Sequence, residues 1–308
     1  RALIELFKVL DTEEEDREDY LEEELAQFPY VNGGLFADES VEIPQFTEEI
    51  RELLLTKASE EFNWKDISPT IFGAVFESTL NPETRRHGGM HYTSVENIHK
   101  VIDPLFMDEL EGEFETIQTY KTLNVKRKKL MDFQEKLAHL KFLDPACGSG
   151  NFLTETYLSL RRLENKVLRV LYGEGQGVLG VAASDIIKVS IQQFYGIEIN
   201  DFAVTVAKTA LWIAESQMLD ETKNIIYGLD GDFLPLKTYV NITEGNALRI
   251  DWNDVISADE LNYIMGNPPF VGNSRLGDSQ RAERSKLFDD RSGELDYVCC
   301  WYKLASEY

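Results

Sequence analysis

Basic residues are scarce in this chain. Its 31 lysines and arginines stand against 55 aspartates and glutamates, a formal net charge of −24. Such a balance is at odds with a protein that would grip a polyanion over its whole surface. The deficit is also uneven. Residues 1–61 hold 19 acids against 5 bases, a balance of −14, so that stretch repels phosphate. The small basic clusters Arg85-Arg86, Lys126 to Lys129 and Arg161-Arg162 read as solvated helix faces, with phosphate contact as the alternative. Cysteine is nearly absent. Cys147, Cys299 and Cys300 follow no regular spacing, which leaves no disulfide framework and no zinc site, and a reducing, cytoplasmic setting is expected. No apolar run approaches the roughly 20 residues that span a bilayer, and no signal peptide opens the chain, so no membrane partner is expected. Internal repeats and long low-complexity linkers are missing too. The first residue is Arg1 rather than Met, and a piece of a longer protein is therefore expected.

What is present suffices for one large domain or two modest ones: 308 residues, 43% of them hydrophobic. Residues 1–80 read as a small all-helical region. Arg1 to Leu10 is amphipathic, Asp19 to Phe28 follows an acidic run, Thr47 caps a helix through Leu55, and Ser68-Pro69 opens one to about Leu80. Residues 81–308 change character. A Gly-containing loop over residues 85–91 precedes a helix from Ser94 to Leu105, and Lys126 to His139 is a charged helix. Four strands are expected: Lys141 to Asp144, Phe194 to Ile199, Ile242 to Leu248, and Leu261 to Met265. Helices are expected over Asn151 to Leu171, Asp201 to Met218 and Leu295 to Glu307. Loops are expected at Gly173 to Gly180 and, polar and mobile, at Gly272 to Gly293. Strands alternating with helices predict an α/β fold, a parallel-rich sheet covered on both faces, with ligands beyond the carboxyl ends of the strands.

Three motifs carry chemistry. The first is Phe142-Leu143-Asp144-Pro145-Ala146-Cys147-Gly148-Ser149-Gly150-Asn151-Phe152. It reads as strand, tight turn and helix. Gly148 and Gly150 allow positive φ and close approach of a ligand, and Asp144 can hold a cationic amino group or a hydroxyl. It is not the Gly-x-Gly-x-x-Gly fingerprint of dinucleotide sites. The second ends the next strand: Glu198, followed by Ile199, is placed to chelate a ribose diol. The third is Gly266-Asn267-Pro268-Pro269-Phe270. Its two prolines fix φ and remove two N–H donors, so the loop presents mainly oxygen acceptors. A neutral amide and a carbonyl together accept both hydrogens of an exocyclic amine and hold its nitrogen nearer tetrahedral geometry. The lone pair is then aimed without a strong base. Phe270 offers a ring on which a flipped base can stack, worth roughly 1–3 kcal/mol. Tyr92-Thr93-Ser94 leads into a helix N-terminus suited to a carboxylate, and Asn246-Ala247 follows the third strand.

In this order the pieces resemble the gamma arrangement of amino-methyltransferases. Phe72 to Ser78, Arg86 to Thr93, Asn151 to Tyr157, Leu295 to Val298 and Trp301-Tyr302 resemble the MmeI-like bifunctional restriction–modification enzymes, from about residue 30 onward. The resemblance implies a Rossmann-like methyltransferase fold over residues 81–308, preceded by a helical spacer over 1–80. It implies S-adenosylmethionine as cofactor, held at its methionine end by Tyr92, Thr93, Asp144, Pro145, Ala146, Gly148, Ser149, Gly150 and Phe152. It assigns the ribose to Glu198 and Ile199, the adenine to Asn246 and Ala247, and catalysis to Asn267, Pro268, Pro269 and Phe270. No metal is implied. The implied activity is adenine-N6 methylation of double-stranded DNA, which would be gripped mainly by a recognition domain outside this chain. No Asp…Glu-x-Lys nuclease pattern is found upstream. Later strands of the usual sheet are expected to be missing, and the chain alone is expected to methylate poorly. The rival readings are a methyltransferase for ribosomal RNA or a protein glutamine, cytosine-N4 chemistry, and a non-catalytic cofactor-binding or assembly module.

Overall fold

A computed structural model describes residues 2–12, 16–18, 20–26, 28, 45–61, 67–71, 93–173, 183–227, 240–288 and 295–308. The chain divides into two compact units, one over Arg1–Ser68 and one over Pro69–Leu234 and Thr238–Tyr308. The expected boundary at residues 80 and 81, the helix beyond Ile71, the loop at residues 85–91, Tyr92 and most of the Gly173 to Gly180 loop lie outside the described residues.

In the first unit, α1 (Ala2–Asp11), α2 (Glu23–Ala26) and α3 (Glu48–Glu52) are helical. The Arg17 guanidinium donates to the carbonyls of Val9, Thr12 and Phe28, which closes the chain after α1 onto that helix. Thr47 Oγ1 accepts from Ile50 N at 3.3 Å, the expected cap of α3. The helix does not stop at Leu55. It widens into π-helical turns over Leu53–Glu60.

The second unit begins its described part with α4 (Val95–Ile102), a π turn over Asp103–Met107, α5 (Asp108–Gln118) and α6 (Leu123–His139). Pro104 lacks the N–H that an α-helical turn needs, and the wider turn lies there. Four strands follow: β1 (Phe142–Asp144), β2 (Phe194–Glu198), β3 (Asn241–Glu244) and β4 (Tyr263–Ile264). They form one parallel sheet in the order β3-β2-β1-β4. Long helices connect them: α7 (Asn151–Tyr172), the single turn α8 (Ala183–Ile186) and α9 (Asp201–Ile225), while α10 (Asp278–Phe288) and α11 (Cys299–Glu307) follow β4.

Register decides the core. Phe142 is paired with Phe194 on one side and Tyr263 on the other, so the three rings lie side by side on one sheet face. Phe142 stacks on Phe194 at 5.2 Å and on Tyr263 at 5.4 Å, and Phe106 and Tyr157 close over them from the helices. The alternate residues Leu143 and Ile197 face the other way, into a cluster with Trp252, Tyr297, Cys300 and Trp301. Helices therefore cover both faces, which accounts for the near-continuous apolar character of β1 and β2.

Several expectations need correction. The third strand ends at Glu244, not Leu248, because Asn246 Oδ1 accepts from Leu248 N and its carbonyl from Arg249 N, turning the chain. The stretch expected to be a mobile polar loop from Gly272 contains α10. Tertiary contacts hold it, since the buried Arg284 donates to Asn273 Oδ1 and to the Leu295 carbonyl. The final helix starts at Cys299 rather than Leu295. Asp296 Oδ1 accepts from Val298 N and Val271 N, and residues 297–298 make a turn that leads into the helix. Arg161 is not on a solvated face. It is 1% exposed and ion-paired with Glu164. Among the described residues no helix is long and apolar enough to cross a membrane.

Candidate active site

The carboxyl ends of β1, β2 and β4 open onto three adjoining loops. After β1, Cys147 N donates to the Ile197 carbonyl at 3.1 Å, which ties the Gly-rich turn to β2. Gly148 and Gly150 both adopt left-handed backbone, with φ of 54° and 76°. They differ in surroundings. A Cβ on Gly150 would lie 2.9 Å from the Ala207 Cβ of α9, so this glycine permits helix packing. A Cβ on Gly148 would meet nothing within 4 Å, so this glycine borders open space on the ligand side. The turn is fixed from behind by Trp301, whose Nε1 donates to the Pro145 carbonyl at 3.0 Å. Ser149 and Phe152 are buried beneath it.

Two buried carboxyls line this opening. Asp144 is 1% exposed, and its Oδ1 accepts from Ala146 N at 3.0 Å. Burial, with the nearby Glu198 adding to it against the Ala146 N–H, pushes its pKa up from 3.8 to about 7. Glu198 receives Gly148 N on Oε2 and Asn200 N on Oε1, each at 2.9 Å. Its pKa is raised by burial, although the Asn200, Gly148 and Ile199 N–H groups oppose the shift. The two backbone hydrogen bonds from Gly148 and Asn200 leave about two of a carboxylate's roughly four acceptor positions for ligand hydroxyls. Among the described residues, neither acid has a cation among the groups that shift it. A ligand carrying an ammonium and a sulfonium, with a ribose hydroxyl for Glu198, supplies the missing charge. On that chemistry the residues fit S-adenosylmethionine. Asp144, Ala146, Gly148, Ser149 and Gly150 would lie at its methionine end and Glu198 at its ribose, with the 66%-exposed Ile199 beside it.

The third strand's loop joins this group through Gly245 N, which donates to the Glu198 carbonyl at 2.8 Å. Asn246 and Ala247 therefore lie beside Glu198. The Asn246 Nδ2 donates to Glu283 Oε1 of α10 at 2.9 Å, and Ala247 is 4% exposed with its carbonyl accepting from Trp252 Nε1.

The Gly266 to Phe270 loop leaves β4, the strand paired with β1, so it opens beside Asp144. Gly266 has φ of 150°, and a Cβ there would come within 2.3 Å of Asp144 Oδ1. Only a glycine lets β4 end against this carboxyl. Asn267 is exposed, Pro268 and Pro269 are half-buried, and Phe270 is 61% exposed. Asn267 Nδ2 donates to Thr93 Oγ1 at 3.2 Å. The fold thus gathers Thr93, the Gly-rich turn, Glu198, the Asn246 loop and Asn267 from across the second unit.

Three contributors escaped the sequence reading. Gly266 was seen as part of the motif, but not as the seat of the Asp144 carboxyl. Trp301 was noted only for resemblance. Glu283 has no sequence signal: it lies on a polar helix and joins Asn246, Arg249 and Tyr297 through contacts that only the fold creates.

Residues 120–308 match the family model of the MmeI DNA-methyltransferase domain, and residues 1–36 match that of the MmeI helicase spacer domain. The chain belongs to the MmeI DNA-methyltransferase family. It is 43% identical to the type IIL restriction–modification enzyme MmeI, solved in complex with DNA. The TM-score is 0.89 over 100% of this chain and 40% of that one. It is 40% identical to DNA methyltransferase A of Bacillus subtilis over 100% of its own length and 34% of the relative's. A putative type II restriction enzyme and methyltransferase of Methanocaldococcus jannaschii is 26% identical over 85% of this chain and 24% of its own. The chain therefore spans about a third or less of the curated relatives it matches. The likeness to MmeI makes the fold Rossmann-like, as the alternating strands and helices lead one to expect.

Proposed function

We propose that this chain is the cofactor-binding and catalytic region of a DNA adenine-N6 methyltransferase within a restriction–modification protein. The observation that carries the proposal is the pairing of β1 with β4. It sets an acceptor-presenting Asn-Pro-Pro-Phe loop beside a buried acid whose pKa is raised by burial and by Glu198, with no cation among the described residues that shift it. S-adenosylmethionine, when bound, supplies an electrophilic methyl on sulfur. Asp144 would hold its cationic methionine end and Glu198 a ribose hydroxyl. Asn267 Oδ1 and the Pro268 carbonyl accept the two hydrogens of the adenine amine, so the nitrogen lone pair faces the methyl. Phe270, exposed at the loop's end, stacks on the extruded base. Positioning and preorganised acceptors, not proton abstraction, lower the barrier.

The division into a helical spacer over residues 1–80 and a methyltransferase region over 81–308, the cytoplasm of a prokaryotic cell, and double-stranded DNA held mainly by a recognition domain outside this chain belong to the same proposal. The likeness to an enzyme solved with DNA supports the last of these. The test is label transfer from S-adenosylmethionine to DNA by the full-length protein and its Asn267→Ala variant. Transfer is expected to vanish in the variant while cofactor affinity stays within about twofold, because Asn267 acts on the acceptor base. A variant that methylates at the parent rate, or label found in RNA or protein, overturns the reading.

A further inference from the structure

We propose that Thr93 is a positioning residue for Asn267, holding the plane of its amide so that Oδ1 meets the target amine. This inference rests on the acceptor role given to Asn267 above. It gives Thr93 a different task from the cofactor contact that the family resemblance implies.

The backbone of Asn267 is held on both sides. Before it, Met265 N donates to the Leu143 carbonyl at 2.9 Å, and Gly266 is clamped against Asp144. After it, two prolines fix φ. What remains free is the side chain, whose terminal torsion has a broad, two-fold preference. Asn267 is exposed, so burial does not lock the amide in one plane. The described structure gives that amide one side-chain hydrogen bond, from Nδ2 to Thr93 Oγ1 at 3.2 Å.

Thr93 is itself well anchored. It immediately precedes Ser94, whose carbonyl accepts the first helical bonds of α4 from Asn97 N and Ile98 N. Ile98 and Ile102 bury α4 completely on one side, and His99 bridges Asp103 and Glu155, which joins α4 to α7 just beyond the Gly-rich turn. The hydroxyl is thus presented to Asn267 from a segment fixed independently of β4.

A hydroxyl both donates and accepts, so it holds the amide plane whichever end faces it. The incoming amine selects the end. Its two hydrogens repel the N–H groups of Nδ2, and only with Oδ1 turned outward does one of them find an acceptor beside the one that meets the Pro268 carbonyl. Nδ2 is then left toward Thr93, which accepts from it. Before DNA arrives this bond is exposed and weak. Once a base covers the loop and excludes water, an unpaired Nδ2 becomes costly and the bond gains weight.

The test compares Thr93→Val, which keeps the shape and loses the hydroxyl, with Thr93→Ser, which keeps the hydroxyl and loses the methyl. Both are made in the full-length protein. Single-turnover methyl transfer is measured at saturating S-adenosylmethionine and DNA, beside calorimetric cofactor affinity and mass analysis of the modified base. T93V is expected to slow transfer about 3- to 10-fold, with cofactor affinity within about twofold of wild type and T93S restoring the rate. A T93V rate equal to wild type overturns the inference. Equal losses in T93V and T93S do so as well, since they assign the effect to packing of the methyl. A deficit that disappears at saturating cofactor makes Thr93 a cofactor ligand instead. The modified base judges the proposed function separately: a methylated cytosine removes the adenine reading, while the ratio of T93V to T93S still decides the role of Thr93. A wild-type protein that transfers no methyl sinks both.

Discussion

Replacing Asp144 by asparagine should move cofactor affinity and protein stability in opposite directions. The side chain keeps its shape and its acceptor for Ala146 N, and loses only the charge. In the ligand-free protein, burial and the neighbouring Glu198 raise the Asp144 pKa from 3.8 to about 7. The unfolded chain therefore ionises first. Between those two values the native state holds more protons than the unfolded state, so this group's contribution to stability falls as pH rises through the window, then stays level above about 7. A shift of this size corresponds to a penalty on the order of 4 kcal/mol at neutral pH, as an upper bound. A cationic cofactor reverses the preference, because the ionised form is the one that binds it. With a free-protein pKa near 7, raising the pH from about 6 to about 8 should strengthen S-adenosylmethionine binding about tenfold, which is the change in the ionised fraction. D144N should abolish that slope and weaken binding at pH 8 by about 10- to 150-fold, the worth of one charge-assisted hydrogen bond. Calorimetric titration across this range, beside thermal unfolding of the ligand-free proteins, reads both effects. D144N should unfold at a higher temperature than wild type, and the gap should widen from pH 4 to 7. A wild-type affinity that is flat between pH 6 and 8, or a slope that survives in D144N, would refute the assignment of Asp144 to the cationic end of the cofactor.

Two further outcomes test the packing around this site. Gly266→Ala places a Cβ 2.3 Å from Asp144 Oδ1 at a φ that side chains avoid, so it should cost about 1–3 kcal/mol of stability and weaken cofactor binding as well. Unchanged chemical denaturation would show that the two loops part freely. Glu164→Ala strips the buried Arg161 of its ion-pair partner, leaves Lys188 N without its acceptor, and takes from Gln134 Nε2 one of its two acceptors, the Ile186 carbonyl remaining. It should destabilise by about 3–5 kcal/mol, whereas the apolar double replacement Arg161→Met with Glu164→Leu recovers much of that loss. A loss below about 1 kcal/mol in Glu164→Ala would contradict a buried, coupled pair.

Much of the fold could be read from the chain because its signals are local. β1 and β2 are short apolar runs that each end in an acid. Gly148 and Gly150 mark the turn between strand and helix, and Asn200 caps α9 with its Oδ1 on Ala203 N, much where the pattern places them. The ends of β3 and α10 were harder to read because each depends on partners distant in sequence. Asn246 reads as the tail of a strand until its side chain turns back on Leu248 N. α10 is polar apart from Ala282 and its end at Leu287 and Phe288, which promises no continuous buried stripe; it is anchored by Arg284 and Glu283 as well as by those two apolar side chains. Arg161 misled for the same reason. Two adjacent arginines on a helix look solvated, and only the arrival of Glu164, Thr222 and Tyr157 around one of them makes a buried network. Within the site, the motifs pointed to Asp144, Glu198 and Asn267, whereas the link from Asn267 to Thr93 spans 174 residues and has no local trace.

The charge balance shows why totals mislead where sites do not. A net charge of −24 argues against a polyanion ligand, yet −14 of it lies in residues 1–61, all of which fall in the first compact unit. In the second unit the acids that matter are two, and they are distinguished by desolvation more than by number. At the surface a carboxylate is screened and indifferent to its ligand. At 1% and 7% exposure, Asp144 and Glu198 lie in a medium where each unmatched charge costs several kcal/mol. Such a pair discriminates by sign. It favours a ligand bearing positive charge, and it places that ligand at the mouth of two loops whose remaining surface is neutral acceptors and an exposed ring. Under the proposed function the same opening would meet a cationic donor on its acidic side and an uncharged, planar amine on the other. Repulsion of phosphate by the acidic surplus does not weaken this division. Under the proposed function the base comes to Asn267, and grip on the phosphates is a separate task for other surfaces.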